Sequence, residues 1–142
     1  MTAWRSAAAA LAVLGVAVPA PAHAQDNEKV PGRTLFTMDD EAVIESSGLV
    51  DAGRVVYTTN DSGDDAVIYG FDPAGGRLVS RTTYADEVDD VEALAPGRHG
   101  VVWAGDTGDN RGRRDSIAGY RVVPGTTTRD RPARRYTFTY PD

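Results

Sequence analysis

Residues 90–110 read Asp90-Val91-Glu92-Ala93-Leu94-Ala95-Pro96-Gly97-Arg98-His99-Gly100-Val101-Val102-Trp103-Ala104-Gly105-Asp106-Thr107-Gly108-Asp109-Asn110. Two short runs of small and β-branched residues flank Pro96-Gly97. Proline presets φ there and glycine reaches positive φ, so the stretch predicts a hairpin that closes on an acidic glycine loop. The same pattern occurs earlier in the chain. With an offset of 45, Ser46-Ser47-Gly48-Leu49-Val50 lies over Val91-Glu92-Ala93-Leu94-Ala95, and Asn60-Asp61-Ser62-Gly63-Asp64 lies over Gly105-Asp106-Thr107-Gly108-Asp109. Near an offset of 49, Gly70-Phe71 lies over Gly119-Tyr120. The chain is therefore an internal repeat of strand, hairpin, strand, acidic loop, strand, turn, strand.

Working outward, β-rich runs at 47–50, 54–59, 66–71, 77–84, 91–95, 100–104, 117–123 and 135–140 are separated by Gly, Pro, Asp and Asn clusters. A first strand is expected near 34–37, after a polar lead-in at 25–32. No window sustains a 3.6-residue period, so the class is all-β. Four strands in about 45 to 50 residues is the pattern of a β-propeller blade. The repeats, about 44–84 and 90–140, make a propeller-like domain at 33–142 with material for about two blades, whereas closed propellers use typically 4 to 8. A truncated propeller is the expected architecture. A small β-barrel or sandwich, or assembly with further copies, would also cover the open faces.

The 142 residues include 15 Lys+Arg, 21 Asp+Glu and no cysteine, for a formal net charge of −6. That balance argues against nucleic acid as a partner, and the lack of cysteine removes disulfides, thiolate metal sites and thiol nucleophiles. Any metal would be held by oxygen. Residues 1–24 read as a secretory signal: Arg5, an apolar stretch at 7–18, then Ala22-His23-Ala24 as the cleavage site. As a helix that stretch reaches only about 18 Å against a roughly 30 Å hydrocarbon core, so no membrane span is expected. The mature chain would begin at Gln25 in a secreted or extracytoplasmic location, with His99 as its single histidine.

The order Ser47-Gly48-Leu49, Asn60-Asp61-Ser62-Gly63-Asp64, Ile68-Tyr69, Asp90-Val91-Glu92-Ala93-Leu94-Ala95, Gly105-Asp106-Thr107-Gly108-Asp109-Asn110, Arg113-Arg114 and Tyr140-Pro141-Asp142 resembles a family of secreted bacterial β-propeller proteins. The resemblance runs from about Ser46 to the last residue and covers the N-terminal portion of such proteins. It implies further blades, and a broad similarity to phytase-like and gluconolactonase-like propellers in which acidic loops hold calcium.

The candidate metal ligands are Asn60, Asp61, Asp64, Asp90, Glu92, Asp106, Asp109 and Asn110. Calcium takes 6 to 8 oxygens, and glycine lets a loop turn its carbonyls toward an ion. Neither loop has EF-hand spacing. The competing role for these side chains is to cap turns through Asx hydrogen bonds. The run Asp86-Glu87-Val88-Asp89-Asp90-Val91-Glu92 packs five acids together, each pair repelling by about 1 kcal/mol in water at 4 Å, so a cation or an arginine would relieve it. Strand alternation places Asp90, Glu92 and Leu94 on one face and Val91, Ala93 and Ala95 on the other. The arginines at 111, 113, 114, 129, 131, 134 and 135 are expected mainly to pair with these acids. Trp103, Tyr57, Tyr69, Phe71 and Tyr120 are expected in the packing between sheets.

Nucleophilic catalysis by Ser-His-Asp is disfavoured, because His99 falls in a turn and no G-x-S-x-G is present. The expected function is a secreted binding or scaffold module, supported by calcium, for a small-molecule or protein ligand. A metal-dependent hydrolase of phosphoesters or lactones is the alternative, as is a non-functional fragment of a larger propeller.

Overall fold

In the computed structural model, the described residues are 31–61, 65–125 and 129–140, so the expected signal segment at 1–24 and Asp64 lie outside them. Among the described residues nine strands follow in order: β1 Ser46–Asp51, β2 Val56–Asn60, β3 Val67–Phe71, β4 Leu78–Thr83, β5 Val91–Pro96, β6 Val102–Asp106, β7 Ser116–Val122, β8 Arg129–Asp130 and β9 Arg134–Thr139. Helix is confined, among the described residues, to one 3-10 turn at Arg98–Gly100. His99 sits in it at φ 57°, held there by the tight β5–β6 connection. No helix among these residues is long and apolar enough to cross a membrane. The strand expected near 34–37 does not form. That segment is irregular, and Phe36 packs with Met38, Ala42 and Val43 over Val67, Tyr69 and Phe71 on one face of β3.

Both sheets are antiparallel meanders, β1-β2-β3-β4 and β5-β6-β7-β9. Each is a blade-like sheet, and the two do not close a ring. The short β8 leaves the second meander to pair in parallel with β4, Thr82 opposite Arg129, which ties the second repeat to the edge of the first. Between the sheets lie Val50, Ala66, Ile68 and Tyr84 from the first and Val91, Ala104, Tyr120 and Val122 from the second. Burying an aliphatic side chain as completely as Ile68 stabilises by about 1.5–3 kcal/mol, so this seam is the main apolar contribution to the fold. Gly48 of β1 faces the backbone of Leu94 on β5 so closely that a Cβ would collide with it. This contact explains a glycine inside a strand.

Strand registers in the two sheets correspond residue by residue. Leu49 pairs with Thr58, which pairs with Tyr69, as Leu94 pairs with Ala104, which pairs with Tyr120. Tyr69, not Phe71, is thus the counterpart of Tyr120, because the second repeat has a longer loop after its second strand. Arg81 stands opposite Tyr69 and 5.4 Å from its ring centroid, and Arg135 opposite Tyr120 at 6.0 Å. The first strand of each repeat carries an irregularity at the same place, between Ser46 and Gly48 and between Val91 and Ala93.

That bulge overturns the simple alternation along β5. Val91 is buried in the seam and Leu94 packs against it, while Ala93 and Ala95 share the opposite face with Trp103, Ile117, Gly119 and Phe138. On this second face Trp103 packs against Tyr136 at 5.4 Å and Phe138 is exposed. Its positions match Val50, Tyr57, Ala66, Ile68 and Tyr84 of the first sheet, which in that sheet are covered by the second.

Candidate functional site

The acidic residues gather where the end of β2 meets the start of β5. Asp61 follows β2, Asp90 precedes β5, and Glu92 occupies the bulge, where the extra residue re-aims its side chain. One carboxylate oxygen from each of the three lies within 4.8 Å of the other two. Asp90 is 8% exposed, and its Oδ1 has no hydrogen-bond partner. Its Oδ2 accepts from Asn110 Nδ2 at 3.2 Å, and its carboxylate rests on the backbone of Gly108 with no space for a Cβ between them. Burial first, then a hydrogen bond shared with Asp61 and the charges of Glu92 and Asp61, raise the Asp90 pKa, with Arg114 opposing. Such a site is costly when empty of positive charge.

A second set of contacts supports this cluster from behind. Asp106 is 1% exposed at the end of β6, and its Oδ1 accepts the Asp90 N–H at 3.0 Å and Arg114 Nη1 at 2.7 Å. Arg114 also donates to the Gly108 carbonyl at 2.9 Å and pairs with Asp89 at 3.4 Å. The hydrogen bond to Asp106 is the main reason the Arg114 pKa is raised. Gly108 N–H returns to the Asp90 carbonyl at 3.0 Å. Asp109 caps the following turn, accepting the N–H groups of Arg113 at 2.9 Å and Arg114 at 3.0 Å, which lowers its pKa.

Asn60 has the role in the first repeat that Asp106 has in the second. Its Oδ1 accepts the Glu45 N–H at 3.4 Å, as Asp106 accepts that of Asp90, and its Nδ2 donates to the Ala42 carbonyl at 2.7 Å. Of the eight candidate ligands, the structure therefore brings together Asp61, Asp90 and Glu92, with Asn110 touching Asp90. Asn60, Asp106 and Asp109 instead hold backbone and an arginine. Arg114, one of the arginines expected to pair with the acids, does so with Asp106 and Asp89, and Gly108 is the residue not singled out as part of the site. Their signal is the GD-x-GDN-x3-R spacing, which carries the chain around Asp90.

The donor set is all oxygen, which suits a hard cation. Calcium, with ligands at about 2.3–2.6 Å in flexible geometry, accepts such a set of carboxylate oxygens more readily than magnesium, which demands near-ideal octahedral geometry. Three carboxylates, some bidentate, with water completing the shell, would reach calcium's coordination number.

No protein-family model matches the chain, and no curated protein matches it in sequence. Among solved structures it is similar to the crystal structure of the computationally designed Ika4 protein, at 15% identity and a TM-score of 0.37, over 64% of this chain and 68% of that one. A likeness at that score has no bearing on function.

Proposed function

We propose that this protein is a secreted binding or scaffold module of propeller-type sheets in which a calcium ion at Asp61, Asp90 and Glu92 fastens the two repeats together. The observation that carries the reading is Asp90, a buried carboxylate with one oxygen within 4.8 Å of an oxygen of Asp61 and an oxygen of Glu92. One ligand comes from the first repeat and two from the second, so the ion would act across the seam. A histidine-dependent mechanism has no support, since His99 is exposed in its turn. The open face bearing Trp103 and Phe138 supports a binding role, because its equivalent in the first sheet is buried against another sheet.

Isothermal titration of the full chain with calcium at neutral pH tests this. One saturable site per chain that Glu92→Gln weakens is expected. No saturable heat, or an unchanged affinity in that variant, would exclude the assignment.

A further inference from the structure

The seam joins the front of the first sheet, with Ala66, Ile68 and Tyr84, to the back of the second, with Ala118, Tyr120 and Val122. Each sheet also has its other face. The back of the first sheet carries Val67, Tyr69 and Phe71, the register counterparts of Ala118, Tyr120 and Val122. The front of the second sheet carries Trp103, Ile117 and Phe138, at the positions that Tyr57, Ala66 and Tyr84 hold in the first.

These two faces are treated differently. The back of the first sheet is covered by a strap, residues 36–43, through Phe36, Met38, Ala42 and Val43. The strap lies there as irregular chain, not as a further strand. Besides the packing, the Arg81–Asp40 ion pair at 3.4 Å and the bond from Asn60 Nδ2 to the Ala42 carbonyl at 2.7 Å hold it. The front of the second sheet is open. Phe138 is 54% exposed, and an apolar hollow that includes Gly105 and Gly119 lies between it and Trp103.

We propose that the open front of the second sheet docks on the back of the first sheet in a second copy of this chain, and that the strap is the intramolecular competitor of that contact. The seam is already a front-on-back contact between sheets of matching register, so the chain carries both halves of a second one. Such an interface is head to tail, and the strap, tethered beside its own sheet at high effective concentration, keeps it weak. This inference rests on the binding role proposed for the open face and names its partner. The calcium assignment concerns the contact inside one chain and stands or falls separately.

The test mixes two versions of the full chain in sedimentation velocity. One, Phe36→Ser/Met38→Ser/Phe138→Asp, loosens its strap and blocks its own front; the other is the wild type, with its front open and its back strapped. A one-to-one complex is expected, at least about tenfold weaker when Phe138→Asp replaces the wild type, with the triple variant monomeric by itself. Three results would overturn the proposal: no complex in the mixture, equal association with Phe138→Asp, or self-association of the front-blocked triple variant, which would mean that an uncovered back adheres without a front. If circular dichroism shows that the triple variant has lost its sheets, Asp40→Asn/Phe138→Asp takes its place. That variant removes the pair with Arg81, keeps the apolar contacts of the strap, and is judged by the same outcomes.

Discussion

The carboxylate of Asp90 lies against the backbone of Gly108, with no room between them for one more carbon. The loop after β6 thus wraps the acid at the start of β5, and Asn110 and Arg114 from the same loop complete the enclosure. Gly108→Ala should push the Asp90 side chain out of place and cost about 1–3 kcal/mol, the usual range for overpacking. Urea denaturation would register the loss, and calcium affinity should fall with it.

Arg114 is the other half of that enclosure. Replacing it by methionine leaves Asp106, 1% exposed, without its counter-charge, and breaking a buried pair in this way costs about 3–5 kcal/mol. Lysine should restore only part of this, since one ammonium cannot reach Asp106, Asp89 and the Gly108 carbonyl as the guanidinium fork does. The measurement is chemical denaturation of both variants beside the wild type.

The pH dependence follows from the direction of the Asp90 shift. Unfolded, this carboxyl ionises near its ordinary value of 3.8; folded, burial, Asp61 and Glu92 hold it higher. The folded state therefore binds more protons between the two values, and the ion-free protein loses stability as pH rises from about 3.8 through the folded value. Asp109 acts with the opposite sign in a lower window, losing its contribution as pH falls from 3.8 through its own lowered value. Thermal melts in chelator should decline from mildly acidic to neutral pH, and excess calcium should remove that decline.

Tyr84 gives a prediction about stability. Its hydroxyl is buried without a partner, so Tyr84→Phe removes an unsatisfied group while keeping the ring against Tyr120. A gain of about 1 kcal/mol in unfolding free energy is expected. A loss would mean that the hydroxyl is satisfied in solution.

The blade pattern was legible because it rests on local signals: the Pro96-Gly97 turn, Gly, Pro, Asp and Asn clusters between short β-branched runs, and an offset near 45 residues. What was not legible depends on contacts distant in sequence. Phe36 reads as part of a strand, yet its segment forms no strand and Phe36 packs over Val67, Tyr69 and Phe71 instead. Asn60 and Asp61 are adjacent and similar, but Asn60 is taken up by Ala42 and Glu45, which the irregular segment just before β1 supplies. The bulge at Glu92 adds one residue to the alternation, so the faces of β5 could not follow from period two alone. The offset of 49 placed Phe71 over Tyr120. The strand ladders place Tyr69 there, and Arg81 and Arg135 mark the true register.

Calcium bound at the seam is the central claim, and the most direct test compares thermal melts of the full chain and Asp90→Asn, each in excess calcium and in chelator. Ligand at one hundred times its dissociation constant adds about 2.7 kcal/mol, so the wild type should melt several degrees higher in calcium. Asp90→Asn, which removes both the ligand charge and the repulsion, should melt at or above the wild type in chelator and show no calcium shift. A wild-type Tm that ignores calcium, or an Asp90→Asn variant that responds to it equally, would contradict the account.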